Sequence, residues 1–235
     1  MVSENRLSIV LPCYNPPACW DSEVTEANKQ IQLLFPGTEL IIVNDGSTKN
    51  FTDVSRELSS MSSINFISYT ENQGKGYALR KGVEAAKGDY IVYTDIDLPY
   101  THESFLKVME ALKQGNDVVV GIRSEEYYTH LPKSRVYISK FLRSLIRFFL
   151  RIPTDDTQCG LKGFNQKGRE VFLSTTINRH LFDLEFVFLS ARKKLKIKTV
   201  EVELRPEVVL SQMNWKILLQ EFGNFLKIFA KSITN

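Results

Sequence analysis

The chain has 235 residues, 43% of them hydrophobic and 24% charged. That length and composition suit one sizeable globular core and exclude a disordered or low-complexity chain. Thirty basic side chains stand against 27 acidic ones, a formal net charge of +3, too slight an excess to point to nucleic acid. No uncharged apolar stretch approaches the ~18 residues of a membrane-spanning helix. The opening residues, MVSENRLSIV, lack the basic start and apolar run of a signal peptide, so neither an integral membrane protein nor a secreted one is expected. Cys13, Cys19 and Cys159 are odd in number and have no CxxC or zinc-ligand spacing, which reads as reduced thiols in a cytosolic protein. His102, His130 and His180 show no ligand spacing either.

Taken in chain order, Leu7–Leu11 is a short apolar run closed by Pro12, and a helical pattern follows over Ser22–Leu34. Leu40–Val43 is the second run, closed by Asn44-Asp45-Gly46-Ser47, with a helical pattern over Thr52–Ser59. Ile64–Tyr69, the third, leads into Asn72-Gln73-Gly74-Lys75-Gly76 and a helix over Gly76–Ala86. Tyr90–Thr94, the fourth, is closed by Asp95-Ile96-Asp97, and a helix over Glu103–Lys113 precedes the fifth run, Asp117–Gly121. Continuous apolar runs of this kind suit parallel strands buried on both faces. Their alternation with helices predicts an open α/β sheet with right-handed crossovers.

In such a sheet the ligand site lies beyond the carboxyl ends of the strands, where this sequence gathers its polar residues. Asp95 and Asp97 sit one residue apart at a strand end. Two carboxylates so close repel unless a cation neutralises them, and hard oxygen donors suit Mg2+ or Mn2+, which also bind phosphate oxygens. Asp45 is placed to accept hydrogen bonds from a base or ribose. Gly74 and Gly76 permit close approach to a diphosphate, Lys75 supplies a point charge, and the helix after Gly76 aims its N-terminus at the same place. The phosphate-loop pattern GxxxxGK(S/T) is absent, and the first strand runs into Pro12 rather than a GxGxxG turn, which excludes both common nucleotide fingerprints. Downstream, Asp155-Asp156-Thr157-Gln158-Cys159-Gly160-Leu161-Lys162 offers carboxylates for a base or an orienting group and a lysine for a phosphate. The same residues also suit the capping of a turn.

Together LSIVLPCYN, LIIVNDGS, NQGKGYALRKG, GDYIVYTDIDL and DTQCGLKGF resemble the family-2 inverting glycosyltransferases, in order and spacing over Leu7–Phe164. The DTQCGLKGF stretch is most similar to the polyprenyl-phosphate hexosyltransferases, in particular the dolichyl-phosphate β-glucosyltransferase branch. The resemblance implies a GT-A fold: α/β, a mostly parallel central sheet with helices on both faces. It implies one domain over 1–235, with a nucleotide-sugar half over 1–100, an acceptor half over 101–205 and an amphipathic tail over 206–235. It further implies that Pro12, Tyr14, Asn15, Asp45, Lys75 and Asp95 bind the nucleotide sugar. Asp97 and Asp95 would hold Mg2+ or Mn2+, Asp97 foremost. Asp156 would lie beside the anomeric carbon, and Lys162 would face the phosphates. The helical stretch Leu181–Leu195 carries Asp183 and Glu185 where these enzymes have an FDxE-like segment. The implied reaction moves a hexose, with UDP-glucose favoured, to a polyprenyl phosphate. The alternatives are transfer to a sugar hydroxyl of a polysaccharide or glycolipid, and a nucleotide-sugar-binding module without turnover. The sequence departs from the pattern at Pro16, where an acidic residue is frequent, and at Pro99, where mannose synthases often have a metal-binding Gln. Arg205 stands at the expected acceptor-phosphate position, but Ser211 is followed by Gln212 rather than Lys.

The +3 is unevenly spread. Lys133–Arg151 holds six basic residues and no acidic one. Lys140, Arg143, Arg147 and Arg151 share one helical face at ~100° per residue, with large apolar residues opposite. Such a helix suits an anionic membrane surface or a core with a solvated basic face; the resemblance favours the membrane and places Arg143 and Arg147 near the acceptor. Trp215–Ile233 is a second amphipathic stretch, equally suited to core, bilayer or another subunit of a homo-oligomer. The expected location is the cytoplasm, peripheral at the cytoplasmic face of the membrane.

Overall fold

The computed structural model describes residues 6–51, 58, 61–123, 150, 152–154, 156–179, 181–206 and 228. In chain order the elements are β1 (Leu7–Cys13), α1 (Trp20–Leu34), β2 (Glu39–Asp45), β3 (Ile64–Tyr69), α2 (Lys75–Ala85), β4 (Tyr90–Tyr93), α3 (His102–Lys113), β5 (Val118–Arg123), β6 (Lys162–Phe164), α4 (Gln166–Leu173), α5 (Phe182–Arg192) and β7 (Ile197–Val202). The strands form one sheet in the order β3-β2-β1-β4-β6-β5-β7. All neighbours are parallel except β6, which runs antiparallel to both β4 and β5.

The five apolar runs are five of the seven strands, and the central ones are buried along almost their whole length. Alternation along each strand splits the core in two. Ile9, Leu11, Leu40 and Ile42 meet α1 and α3 on one face through Trp20, Val24, Phe105 and Val108. Val10, Ile41, Val43 and Tyr93 meet α2, α4 and α5 on the other through Leu79, Val83, Phe172, Phe182 and Phe186. The sheet therefore has helices on both faces, as expected.

The structure differs from the sequence reading at the end of the first strand and in two further strands, β6 and β7, that the reading did not contain. The first strand passes through Pro12, which pairs in register with Val43, and ends at Cys13; proline's fixed φ fits an extended chain, so only its missing N–H is lost to the ladder. Strand β6 is three residues long and contains Gly163, too short to leave a periodic pattern. The helical pattern at Thr52–Ser59 and both amphipathic stretches lie almost wholly outside the described residues. Leu150 and Ile228, the described members of those two stretches, are 4% and 1% exposed and belong to the second core cluster. At these two positions the segments pack on the domain.

Candidate active site

The carboxyl ends of β1, β2 and β4 and the entry of α2 surround a cavity of about 460 Å³. Its walls are Pro12 to Pro17 after β1, Asp45 at the end of β2, Asn72, Gly74 and Lys75 at α2, Asp95 to Asp97 after β4, and Arg179. Five stretches separate in sequence thus meet at one place, the place where an open parallel sheet puts its ligand. Pro12, Tyr14, Asn15, Asp45, Lys75, Asp95 and Asp97 all stand on it, and the Tyr14 ring is left 52% exposed.

The cavity wall is tied together by side chains that mimic backbone. Asn15, with φ of 46°, accepts through Oδ1 from the N–H groups of Thr48 (2.9 Å) and Lys49 (3.1 Å), and its own N–H donates to Ser47 Oγ at 2.9 Å. These bonds lock the loop after β1 to the loop after β2. Asp45 does the same for the entry to α2. Its Oδ1 accepts from the Tyr69 hydroxyl (2.8 Å) and the Gln73 N–H (2.7 Å), and its Oδ2 from Asn72 Nδ2 (2.8 Å) and the Gly74 N–H (2.9 Å). Four donors fill the four lone-pair directions of a carboxylate. The side chain expected to read a base or ribose is therefore engaged in holding the 72–75 loop, with its charge at the N-terminus of α2, where an anion is favourable.

The glycines also serve a use other than the one expected. A Cβ on Gly74, whose φ is 102°, would stand 2.5 Å from the Asn178 carbonyl oxygen, and one on Gly76 would stand 2.6 Å from that of Ile177. The missing side chains make room for the protein's own 177–179 turn.

At the centre, Lys75 Nζ donates to Asp95 Oδ1. Burial draws the lysine pKa down, but Asp95, helped by Asp183 and Asp97, outweighs it and leaves the ammonium above its ordinary value. Asp97 is pushed up, first by burial and then by repulsion from Asp95; its own backbone N–H, Lys75 and Arg205 only partly oppose this. Asp95 and Asp97 adjoin, and Lys75 pairs with Asp95 alone; the repulsion left between the two carboxylates fits a hard divalent cation. Among the described residues no three His, Cys, Asp or Glu gather to hold an ion. The protein would supply Asp95 and Asp97 alone, and phosphate oxygens and water the rest, the usual arrangement for Mg2+.

The downstream cluster folds inward. Lys162 is fully buried: its ammonium donates to the Cys159 carbonyl (2.5 Å) and Asp183 Oδ1 (2.6 Å), beneath the Tyr93 ring. It does not line the cavity, so the expectation that it faces phosphates is not met; a desolvated ammonium needs the carboxylate that α5 offers. Asp156 is 2% exposed and held bidentately by Arg123, with Nε 2.9 Å from Oδ2 and Nη2 2.6 Å from Oδ1, while the Arg123 N–H adds a third bond at 3.0 Å. It too is not among the described residues that line the cavity. Asp155, Arg143 and Arg147 fall outside the described residues. Arg205 is exposed and donates through Nη2 to the Asp97 carbonyl at 2.5 Å, which brings it beside the paired aspartates.

Three residues were not singled out in the sequence. Arg123 closes β5 as an ordinary strand-end cation. Arg179 reaches the cavity from a turn with no motif around it. Arg80 points to that turn from mid-helix. None carries a spacing signal: Arg123 is placed by its pair with Asp156, and Arg80 and Arg179 by the seating of the 175–179 turn against α2.

Residues 8–181 match the sequence profile of glycosyl transferase family 2. The chain belongs to this family. The protein is 28% identical over 220 residues to the dolichyl-phosphate beta-glucosyltransferase of Drosophila melanogaster, covering 84% of this chain and 66% of that one. It is 27% identical over 208 residues to the glycosyltransferase AglD of Haloferax volcanii, covering 86% of this chain and 33% of that one. The chain thus spans from a third to just under two thirds of the length of these relatives. Glucosyl-3-phosphoglycerate synthase from Mycobacterium tuberculosis, solved with Mn2+, UDP-glucose and phosphoglyceric acid, superposes with a TM-score of 0.65 at 18% identity, covering 96% of this family-2 chain and 80% of the synthase. The shared architecture is the GT-A fold.

Proposed function

We propose that this family-2 protein is an inverting hexosyltransferase that moves the sugar of a nucleotide-diphosphate sugar, UDP-glucose foremost, to a polyprenyl phosphate at the cytoplasmic face of a membrane. The observation that carries this reading is the meeting of Asp95, Asp97, Lys75 and the 12–17 loop on one cavity at the strand ends. The relatives' names, and the UDP-glucose bound in the M. tuberculosis synthase, support the donor and acceptor classes.

When bound by Asp97 and Asp95, Mg2+ or Mn2+ offsets the charge that develops on the departing nucleoside diphosphate. The protein's own groups do the rest. Lys75, fixed by Asp95, keeps a positive charge at the cavity floor. The prolines at 12, 16 and 17 and the Asn15 ties make a rigid wall for the nucleotide, so little ordering cost falls on binding.

The choice of acceptor rests on the carboxylates. A hydroxyl acceptor must give a proton to a base within hydrogen-bond reach. Asp156 is buried and held by Arg123, Asp45 is filled by four donors, Asp95 is paired with Lys75, and Asp97 is the carboxylate given to the divalent cation. Among the described residues no histidine lines the cavity. A phosphate acceptor arrives already anionic. One of its oxygens forms the bond to the anomeric carbon from the face opposite the leaving diphosphate, whose C–O bond breaks and inverts the centre. Membrane contact through 133–151 and 215–233 brings the protein to such an acceptor, and among the described residues no helix is long and apolar enough to cross a bilayer.

A donor screen with short polyprenyl phosphates, with and without Mn2+ or Mg2+, tests this. Metal-dependent glucosyl-lipid product is expected. Product only with a hydroxyl acceptor overturns the acceptor assignment, and no turnover with any donor leaves a binding module.

A further inference from the structure

Among the described residues two cations line the cavity, Lys75 and Arg179, and only Lys75 is paired with a carboxylate. Lys75 is paired with Asp95. Arg179 is an exposed residue of the cavity lining, and among the described residues no carboxylate forms an ion pair with it.

Its position is built rather than incidental. Glu185, fully buried on α5, accepts at Oε2 from the N–H groups of Thr176 and Ile177, both at 2.8 Å, and at Oε1 from the Thr176 hydroxyl at 2.9 Å. Arg80 on α2 donates to the Ile177 carbonyl (3.0 Å), to Thr175 Oγ1 (3.3 Å) and to Asn178 Oδ1. The Gly76 N–H donates to the Asn178 carbonyl at 2.8 Å, and the Phe182 N–H to that of Arg179 at 3.1 Å. Every residue from 175 to 179 is thus held by a polar contact. The Arg179 Cγ would lie 3.0 Å from a Cβ on Gly74, so the side chain crosses the loop at the one place where no side chain blocks it. Arg179 lines the cavity that also bears Asp95 and Asp97.

A guanidinium on a rigid turn, with five donors in a planar fork, matches phosphate oxygens better than any other side chain. The geometry points to Arg179 as an anion-binding residue of this cavity. It takes phosphate oxygens of the bound substrates, either the diphosphate of the donor or the monophosphate of the acceptor. Glu185 and Arg80 are positioning residues for it. This assignment rests on the reading of the cavity as a site for a nucleotide-diphosphate sugar.

The test compares the full chain with Arg179→Ala and Arg179→Lys, using UDP with Mn2+, inorganic pyrophosphate with Mn2+, and uridine as calorimetric probes. Transfer kinetics with a short polyprenyl phosphate complete it. Because Arg179 is exposed, the melting temperature should stay unchanged in both variants. If the donor diphosphate is the partner, Arg179→Ala weakens UDP and pyrophosphate about ten- to hundredfold, as expected for charge-assisted hydrogen bonds, and leaves uridine unaffected. If the acceptor phosphate is the partner, UDP binding is unchanged and the acceptor KM rises by a similar factor. Arg179→Lys should fall between wild type and Arg179→Ala in whichever quantity moves. Unchanged UDP affinity together with unchanged acceptor KM in Arg179→Ala overturns this assignment alone. A wild-type protein that binds neither UDP nor pyrophosphate overturns the donor reading and this assignment with it.

Discussion

Two lysine–aspartate pairs lie on either side of the β4 strand end, and water reaches only one of them. In Lys75–Asp95 the side chains are 35% and 40% exposed; in Lys162–Asp183 they are 0% and 6% exposed. In sequence the two lysines look alike, since each follows a glycine-containing turn and stands near acidic residues. In the fold their uses diverge. The first pair floors a cavity where its charges meet a ligand. The second shares Asp183 with the Tyr93 hydroxyl and joins β4, β6 and α5 from within. Exposure, rather than residue type, separates a charge that handles substrate from one that holds the scaffold.

The largest effect should come from the exposed side. Asp97→Ala leaves the fold intact but removes the carboxylate that a divalent cation needs. Transfer should fall by at least about 10²-fold, in line with the loss of one preorganised electrostatic contact. The Mg2+ or Mn2+ dependence of the residual rate should disappear. Turnover close to wild type, still metal-dependent, would remove Asp97 from the site.

Lys162→Met tests the buried side. Removing one partner of a buried pair strands the other charge and costs on the order of 3–5 kcal/mol, read as a loss in chemical denaturation. Pairing it with Asp183→Asn should recover part of that loss, because the stranded carboxylate is gone. If Lys162 instead met a phosphate, Lys162→Met would keep its stability and lose activity.

These two lysines also show how far the sequence can be read. The strands were legible because residues buried on both faces leave unbroken apolar runs: Leu7–Leu11, Leu40–Val43 and Tyr90–Thr94 needed no partner to be seen. The cavity was legible for the same reason, since topology places the residues after those runs together. What escaped depends on contacts across the chain. Strand β6 is a three-residue insert between β4 and β5, and its register decides that Lys162 points at Asp183. Asp156 looked like a free acid until Arg123, 33 residues earlier, was placed beside it. Asp45 looked like a ligand reader until its four donors, all between residues 69 and 74, folded over it.

Lys75→Met sharpens the contrast from the other direction. Its pair is more than a third exposed on both sides, so screening by water limits the stability loss to about 1 kcal/mol or less. Activity should fall clearly more than stability does, the reverse of Lys162→Met. A stability loss as large as that of Lys162→Met would show that both pairs serve the scaffold and would end the distinction.

A third pair sets the lower limit. Lys167 lies 3.6 Å from Asp117, with the lysine side chain 71% exposed and the aspartate 8%. Burial raises the Asp117 carboxyl, but the Lys196 N–H at 2.9 Å and Asn165 Nδ2 at 2.9 Å, with Lys167 behind them, outweigh it and hold it below the ordinary value. The sign follows from that depression. A carboxyl lowered by folding contributes stability above its unfolded value near about 4, and that contribution is lost as pH falls through the folded value. Since the neutral donors precede the lysine in strength, Lys167→Gln should change stability at pH 7 by less than about 0.5 kcal/mol and leave the acid-side loss in place. Asp117→Asn should flatten that loss. If Lys167→Gln flattens it as well, an exposed lysine is controlling a buried carboxylate, and exposure is no longer what separates the pairs.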